Sequence, residues 1–319
     1  MADEHDVIEA LEARGERRVR RRDLFSGFAA ASTAAGGFVL ANTAGPVAAQ
    51  AVTDADILNF ALNLEYLEAQ FYVQAASGAG LPENLLGGTG TRGQATGGRR
   101  VNFTDTAVAQ YAREIAGDEQ AHVAFLRGAL GSAAVAQPTI DIGTSPTGAF
   151  SSAARAAGLI GPGQSFDPYA SDENFLLAAY IFEDVGVTAY KGASPLISNK
   201  TFLEAAAGLL AVEAYHASLV RTTLYAKGMN TPSLINASVA ISNARDSLDG
   251  PTDLDQGLTT SQISGGTASN IAPLDENGLA FSRSAGQVLN IVYLNKMAVT
   301  GGGFFPNGVN GNLRMSASN

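Results

Sequence analysis

Apolar side chains recur at helical spacing in four stretches of the chain. Ile57, Leu58, Ala61, Leu62, Leu64 and Leu67 predict a first helix to about Ala76, opened by Thr53 and Asp56 as a capping box. Thr104 and Asp105 open a second, ending near Leu130. Ser171, Asp172 and Glu173 start a third, which runs through NFLLAAYIFEDVGVTAY to about Gly192. Thr201 with Glu204 offers another capping box for a fourth, ending near Lys227. Residues 77–102 contain GGTGTRGQATGG with no Gly-Lys-Ser/Thr after it, so the glycines read as turn chemistry in an exposed loop or small hairpin. Pro138, Pro146, Pro162 and Pro168 break any regular helix across 131–170, which makes that segment a crossover. The expectation is all-α: a four-helix bundle over 50–228 with one long link between its second and third helices. A Gly/Ser/Asn-rich C-terminal extension, 229–319, is expected to pack on it, with apolar stretches near 234–241 and 285–299 and a tail, GGGFFPNGVNGN, that reads as loop.

Polar residues on the apolar stripes change this picture. Glu119 and His122 share a face with Ile115, Ala116, Val123 and Leu126, a costly placement unless the two are paired or bound to a metal. The third helix laid over the first puts Glu183 on Glu65 and Tyr190 on Tyr72. The fourth over the second puts EAYHASLVRTTL, 213–224, on EQAHVAFLRGAL, 119–130. The chain is a duplicated helix pair, each copy carrying one lone Glu and one Glu-x-x-His. Residues three apart lie on one helix face, so Glu119 with His122 and Glu213 with His216 address one point in the core, where Glu65 and Glu183 complete a set of six. Four carboxylates and two imidazoles suit two divalent cations, the alternative being a metal-free buried network. The chain holds only three histidines, and the third, His5, lies in the N-terminal segment. Glu68 competes for the first helix, but Gly186 is its repeat partner and it is left outside the set. Tyr66, Tyr72, Tyr190 and Tyr215 read as packing before any role at ligands. Asp118 and Asp184 adjoin ligand positions and are candidates to accept from the histidine N–H groups. Arg127 and Arg221 coincide in the repeat and would pair with those aspartates or lie on the helix surface.

These four helices resemble the ferritin-like superfamily, in particular its exported branch that includes desiccation-related proteins. FEDVGVTAY at 182–190 and GGGFFPNG at 301–308 resemble that branch as well. The resemblance implies bridging roles for Glu119 and Glu213 and terminal roles for Glu65, Glu183, His122 and His216. Oxygen-rich ligands with imidazole suit iron and manganese, although ligand type alone does not choose between them and zinc or copper binds most such sites more tightly.

Charge and composition narrow the partners. A net charge of -10, with no basic run outside the N-terminus, argues against nucleic acid, and the lack of cysteine excludes thiolate chemistry. RRVRRRDLFS at 17–26, a mild apolar run over 27–47 and VAAQA look like a twin-arginine export signal, cleaved after Ala49, so 1–49 is read as signal peptide. That places the mature protein in the periplasm or outside the cell, without a lasting anchor, and no other segment is expected to span a bilayer. Two Fe or Mn ions would serve redox chemistry on O2, H2O2 or Fe2+: catalase-like, peroxidase or ferroxidase activity tied to stress protection. The competing reading is a non-catalytic structural or desiccation-protective envelope protein with a structural metal site. Iron storage in a hollow homo-oligomeric cage is weaker, because the Gly-rich connectors and the tail do not suit a compact cage subunit.

Overall fold

The computed structural model describes residues 52–319, so the expected export signal and cleavage site fall outside the described residues. Seven α-helices occur among them. α1 (Asp54–Ser77), α2 (Thr106–Leu130), α4 (Asp172–Ala193) and α5 (Lys200–Gly228) make the bundle. α1 lies along α2 and α4 along α5, and the two pairs face each other through α1 with α4 and α2 with α5.

Local chemistry explains the helix starts. Thr53 and Asp56 form the expected capping box, Asp105 accepts from the Ala107 and Val108 amides, and Ser171 accepts from Asn174 N. The fourth start is corrected. Asn199, not the Thr201/Glu204 pair, caps α5 by accepting from the Thr201 and Phe202 amides. Asp54 in turn accepts from the Ser198 and Asn199 amides, which ties the foot of α1 to that of α5.

The connectors are more ordered than expected. Residues 95–96 (β1) do not form a hairpin but pair in parallel with 140–141 (β2), inside the long crossover. That crossover also holds a regular helix, α3 (Ala149–Ala156), which fits between Pro146 and Pro162. The apolar stretches of the extension are helices too: α6 (Pro232–Asp249) and α7 (Ala285–Val292), separated by an exposed antiparallel hairpin of β3 (Thr260–Ile263) and β4 (Gly266–Ser269). α6 packs on α3, α4 and α5, and α7 on α4 and α6.

Two buried devices hold the extension. The tail loop inserts Phe304, fully buried, with its ring centroid 5.1 Å from Phe150 of α3 and 4.9 Å from Phe182 of α4. Burial of a Phe side chain contributes about 1.5–3 kcal/mol. The second device is a buried chain of three arginines and three aspartates. Arg221 of α5 and Arg245 of α6 both reach Asp184 of α4, at 2.8 and 3.0 Å. Arg245 also reaches Asp255, and Arg283 joins Asp255 to Asp249, each at 2.6 Å. Equal numbers of each sign keep the network neutral, which is what lets it sit away from water. Gly192 on α4 gives the segment its closest approach, because a Cβ there would collide with the carbonyl of Arg283.

One expectation about membranes is revised. By length and composition alone α5 is enough to cross a bilayer. Its buried positions, however, include Glu213, His216 and Arg221, which face the bundle and fit a core helix.

Candidate metal centre

All six sequence-chosen residues point to one region of the core. Glu65 sits on α1, Glu119 and His122 on α2, Glu183 on α4, and Glu213 and His216 on α5. One ligand atom each from Glu65, Glu119, His122 and Glu213 lie within 4.8 Å of one another, and so do those of Glu119, Glu183 and His216. Glu119 belongs to both groups. It lies between the imidazoles, 3.5 Å from Nδ1 of His122 and 3.0 Å from Nδ1 of His216. Glu119 is completely buried, and His122 is the most exposed of the six at 7%.

The structure adds a seventh residue. Glu68, one helical turn beyond Glu65, is buried and offers a carboxylate oxygen within 4.8 Å of those of Glu183 and Glu213. Its Glu-x-x-Glu spacing from Glu65 was the available sequence signal, and the mismatch with Gly186 masked it.

Other expectations divide. Asp118 meets a histidine as anticipated, with Oδ2 3.1 Å from Nε2 of His216. Asp184 does not, being taken by Arg221 and Arg245. Arg221 thus pairs with its aspartate, whereas Arg127 donates instead to the Tyr66 hydroxyl and the Gly87 carbonyl, both at 2.6 Å. Tyr72 and Tyr190 do more than pack: the Tyr72 hydroxyl donates to Glu183, and that of Tyr190 to Glu65. Tyr215 is 71% exposed and belongs to neither the core nor the centre.

The electrostatics follow from crowding. Burial, reinforced by the charge of Glu119, raises Glu65 to about 7. Burial also raises Glu183 to about 8. Glu68 and Glu213 are pushed well above the carboxylate range by burial and by neighbouring carboxylates. Burial opposes ionisation of Glu119 as well, but the imidazoles on either side outweigh it and hold this carboxyl at about 2. Desolvation would lower both histidines, yet the carboxylates around them raise His122 to about 11 and His216 to about 9. Five ionised carboxylates would outweigh the two imidazoles, so without cations most of the crowded carboxyls hold protons, which divalent ions would displace.

Unmet polar atoms test whether cations fit. Both oxygens of Glu119 and Glu213, one each of Glu68 and Glu183, and Nδ1 of His216 are buried without a hydrogen-bond partner. Native cores leave few such atoms. An all-oxygen-and-imidazole donor set converging on one volume fits divalent cations, which would satisfy these atoms together.

Comparison with known proteins identifies the family. The family model described as a Ferritin-like domain matches residues 53–226. Desiccation-related protein PCC13-62 of Craterostigma plantagineum is 31% identical over 269 residues, covering 80% of this chain and 82% of the relative. Ferritin-like catalase Nec2 of Nesocodon mauritianus is 28% identical over 272 residues, covering 82% and 84% respectively. No solved structure gives a significant match. The family match over the four bundle helices, together with the similarity along most of the chain, shows that the protein belongs to the ferritin-like domain family.

Proposed function

We propose that the protein is an exported dinuclear Fe or Mn carboxylate protein that removes peroxide in a catalase-like manner and serves stress protection. The observation that carries this reading is the duplicated, buried Glu/Glu-x-x-His set in which both oxygens of Glu119 and Glu213 and one of Glu183 lack hydrogen-bond partners. Glu65, Glu119, His122, Glu183, Glu213 and His216 would hold two ions, Glu119 being the residue common to the groups that contain the two imidazoles. Two redox-active ions supply paired electron exchange with O2 or H2O2 when bound. The similarity to a ferritin-like catalase supports peroxide as the substrate.

The chain's own residues prepare the site. Asp118 beside Nε2 of His216 fixes that ring's tautomer and leaves Nδ1 as the ligating nitrogen. Burial and the charge of Glu183 keep the Tyr72 hydroxyl protonated, so it stays a donor and orients one Glu183 oxygen. Tyr190 does the same for Glu65. Export rests on the arginine pair Arg21 and Arg22 with the apolar run after it, and places the activity in the periplasm or outside the cell.

Peroxide turnover tests the reading. Wild type carrying its native metals should convert two H2O2 into two H2O and one O2, and Glu119→Ala should keep the helical fold and lose turnover. A metal-filled wild type that leaves H2O2 untouched contradicts it. The second reading, ions that only staple the four helices, is favoured by the likeness to a desiccation-related protein and would then stand.

A further inference from the structure

The repeat makes the centre two-fold, and the structure breaks that symmetry at one pair of positions. Glu68 on α1 and Gly186 on α4 are equivalent in the duplication, three residues after Glu65 and Glu183 respectively. Glu68 is 6% exposed, and its Oε2 has no hydrogen-bond partner. Behind it lies a small, largely apolar cavity of about 10 Å³ lined by Leu64, Leu67, Phe182, Val185 and Phe304. The polar groups it meets are in the cluster, where one of its oxygens lies within 4.8 Å of Glu183 and Glu213 oxygens.

Gly186 supplies the room. A Cβ at that position would collide with Oε2 of Glu213 and come within 3.6 Å of Oε1 of Glu68. The missing side chain therefore seats the Glu213 carboxylate on the Glu68 side of the bundle. Glu119 has imidazoles on either side, whereas the groups brought together with Glu68 are the carboxyls of Glu183 and Glu213, with no imidazole among them. A carboxylate buried among carboxylates with an unmet oxygen calls for a cation.

We infer that Glu68 is a fifth carboxylate ligand of the centre and makes its two metal positions unequal. This rests on the dinuclear reading above. One position has Glu65, Glu119, His122 and Glu213. Glu183 belongs both to a group with Glu119 and His216 and to one with Glu68 and Glu213, so the other position would draw on Glu68, Glu119, Glu183, Glu213 and His216, one more anionic ligand. The fuller position binds its ion more tightly, since affinity for a hard divalent ion rises with ligand charge and number. The emptier one, beside the more exposed His122, keeps open coordination for a small substrate.

Titration of metal-free protein with Mn2+, with free Mn2+ followed by electron paramagnetic resonance, separates the steps without any activity assay. Wild type should bind in a tight and a weaker step. Glu68→Gln should weaken the tight step about 10-fold or more and leave the weaker one in place, whereas Glu65→Gln should weaken the other step. Circular dichroism reports folding, and Glu68→Ala carries the same test if the amide variant does not fold. A Glu68→Gln isotherm that superimposes on wild type overturns the inference, as does loss of the same step in Glu65→Gln and Glu68→Gln. Wild type that takes up no Mn2+ and retains no native ion contradicts the dinuclear reading itself, whatever Glu68→Gln does.

Discussion

Tyr72 and Tyr190 each reach across the bundle to a carboxylate supplied by the other half of the duplication: Tyr72 on α1 to Glu183 on α4, Tyr190 on α4 to Glu65 on α1. Removing the Tyr72 hydroxyl leaves Glu183, whose other oxygen already lacks a partner, without a donor, and removing that of Tyr190 leaves Glu65 with His122 alone. Tyr72→Phe and Tyr190→Phe should each lower metal affinity about 10- to 100-fold while leaving the helical content unchanged, as measured by competition with a chelator of known affinity. A second residue-scale prediction concerns Asp246, which burial and the charges of Asp255, Asp253 and Asp249 raise to about 7. Between its unfolded value of 3.8 and about 7 the folded state holds a proton that the unfolded chain has released, so this group's contribution falls as pH rises through that window. Asp246→Asn removes the penalty. Denaturant titrations should show its advantage over wild type growing from about pH 5 to about pH 8, and an advantage independent of pH would contradict the sign. The six candidate ligands were legible in the sequence because duplication turned a commonplace Glu-x-x-His into a set. The tyrosine bonds were not, because helical spacing places a ring on the core side without saying whether its hydroxyl finds a partner. Glu68 was hidden by the same symmetry argument that revealed the others.

At the scale of elements, caps and periodicity located all four bundle helices, and the start of α5 slipped only because Asn199 outcompeted a Thr/Glu pair slightly further on. The crossover and the extension were less legible. Two of their three helices, α3 and α7, are eight residues each, too short for periodicity to stand out from Gly and Pro punctuation, while α6 showed only as the apolar stretch near 234–241. The tail is loop in conformation, as expected, but the burial of Phe304 and Phe305 depends on long-range docking that local pattern does not encode. Phe304→Ala should cost about 3–5 kcal/mol by leaving a cavity between α3 and α4, read as a lower midpoint in denaturant. Arg283 belongs to the same scale. It donates to Asp249, Asp255 and Thr188, and Arg283→Ala should destabilise by about 3–5 kcal/mol because it strands the buried Asp249 and leaves Asp255 with Arg245 as its one remaining arginine.

For the molecule as a whole, the bundle, the crossover and the extension share one buried core, while the ligands come from all four bundle helices. Ions bound there would tie α1, α2, α4 and α5 to one point, and on the dinuclear reading their removal takes away a constraint common to the entire fold. An ion present at a hundredfold excess over its Kd stabilises the native state by about 2.7 kcal/mol. Dialysis against a chelator should therefore lower Tm, and re-addition of the native metal should restore it. The most direct test is the metal content of protein purified from its native compartment without chelators or added metal, beside the double variant Glu119→Ala/His122→Ala. The account predicts close to two Fe or Mn per chain in wild type and their loss in the variant. A wild type that is empty, or filled with zinc, would contradict it.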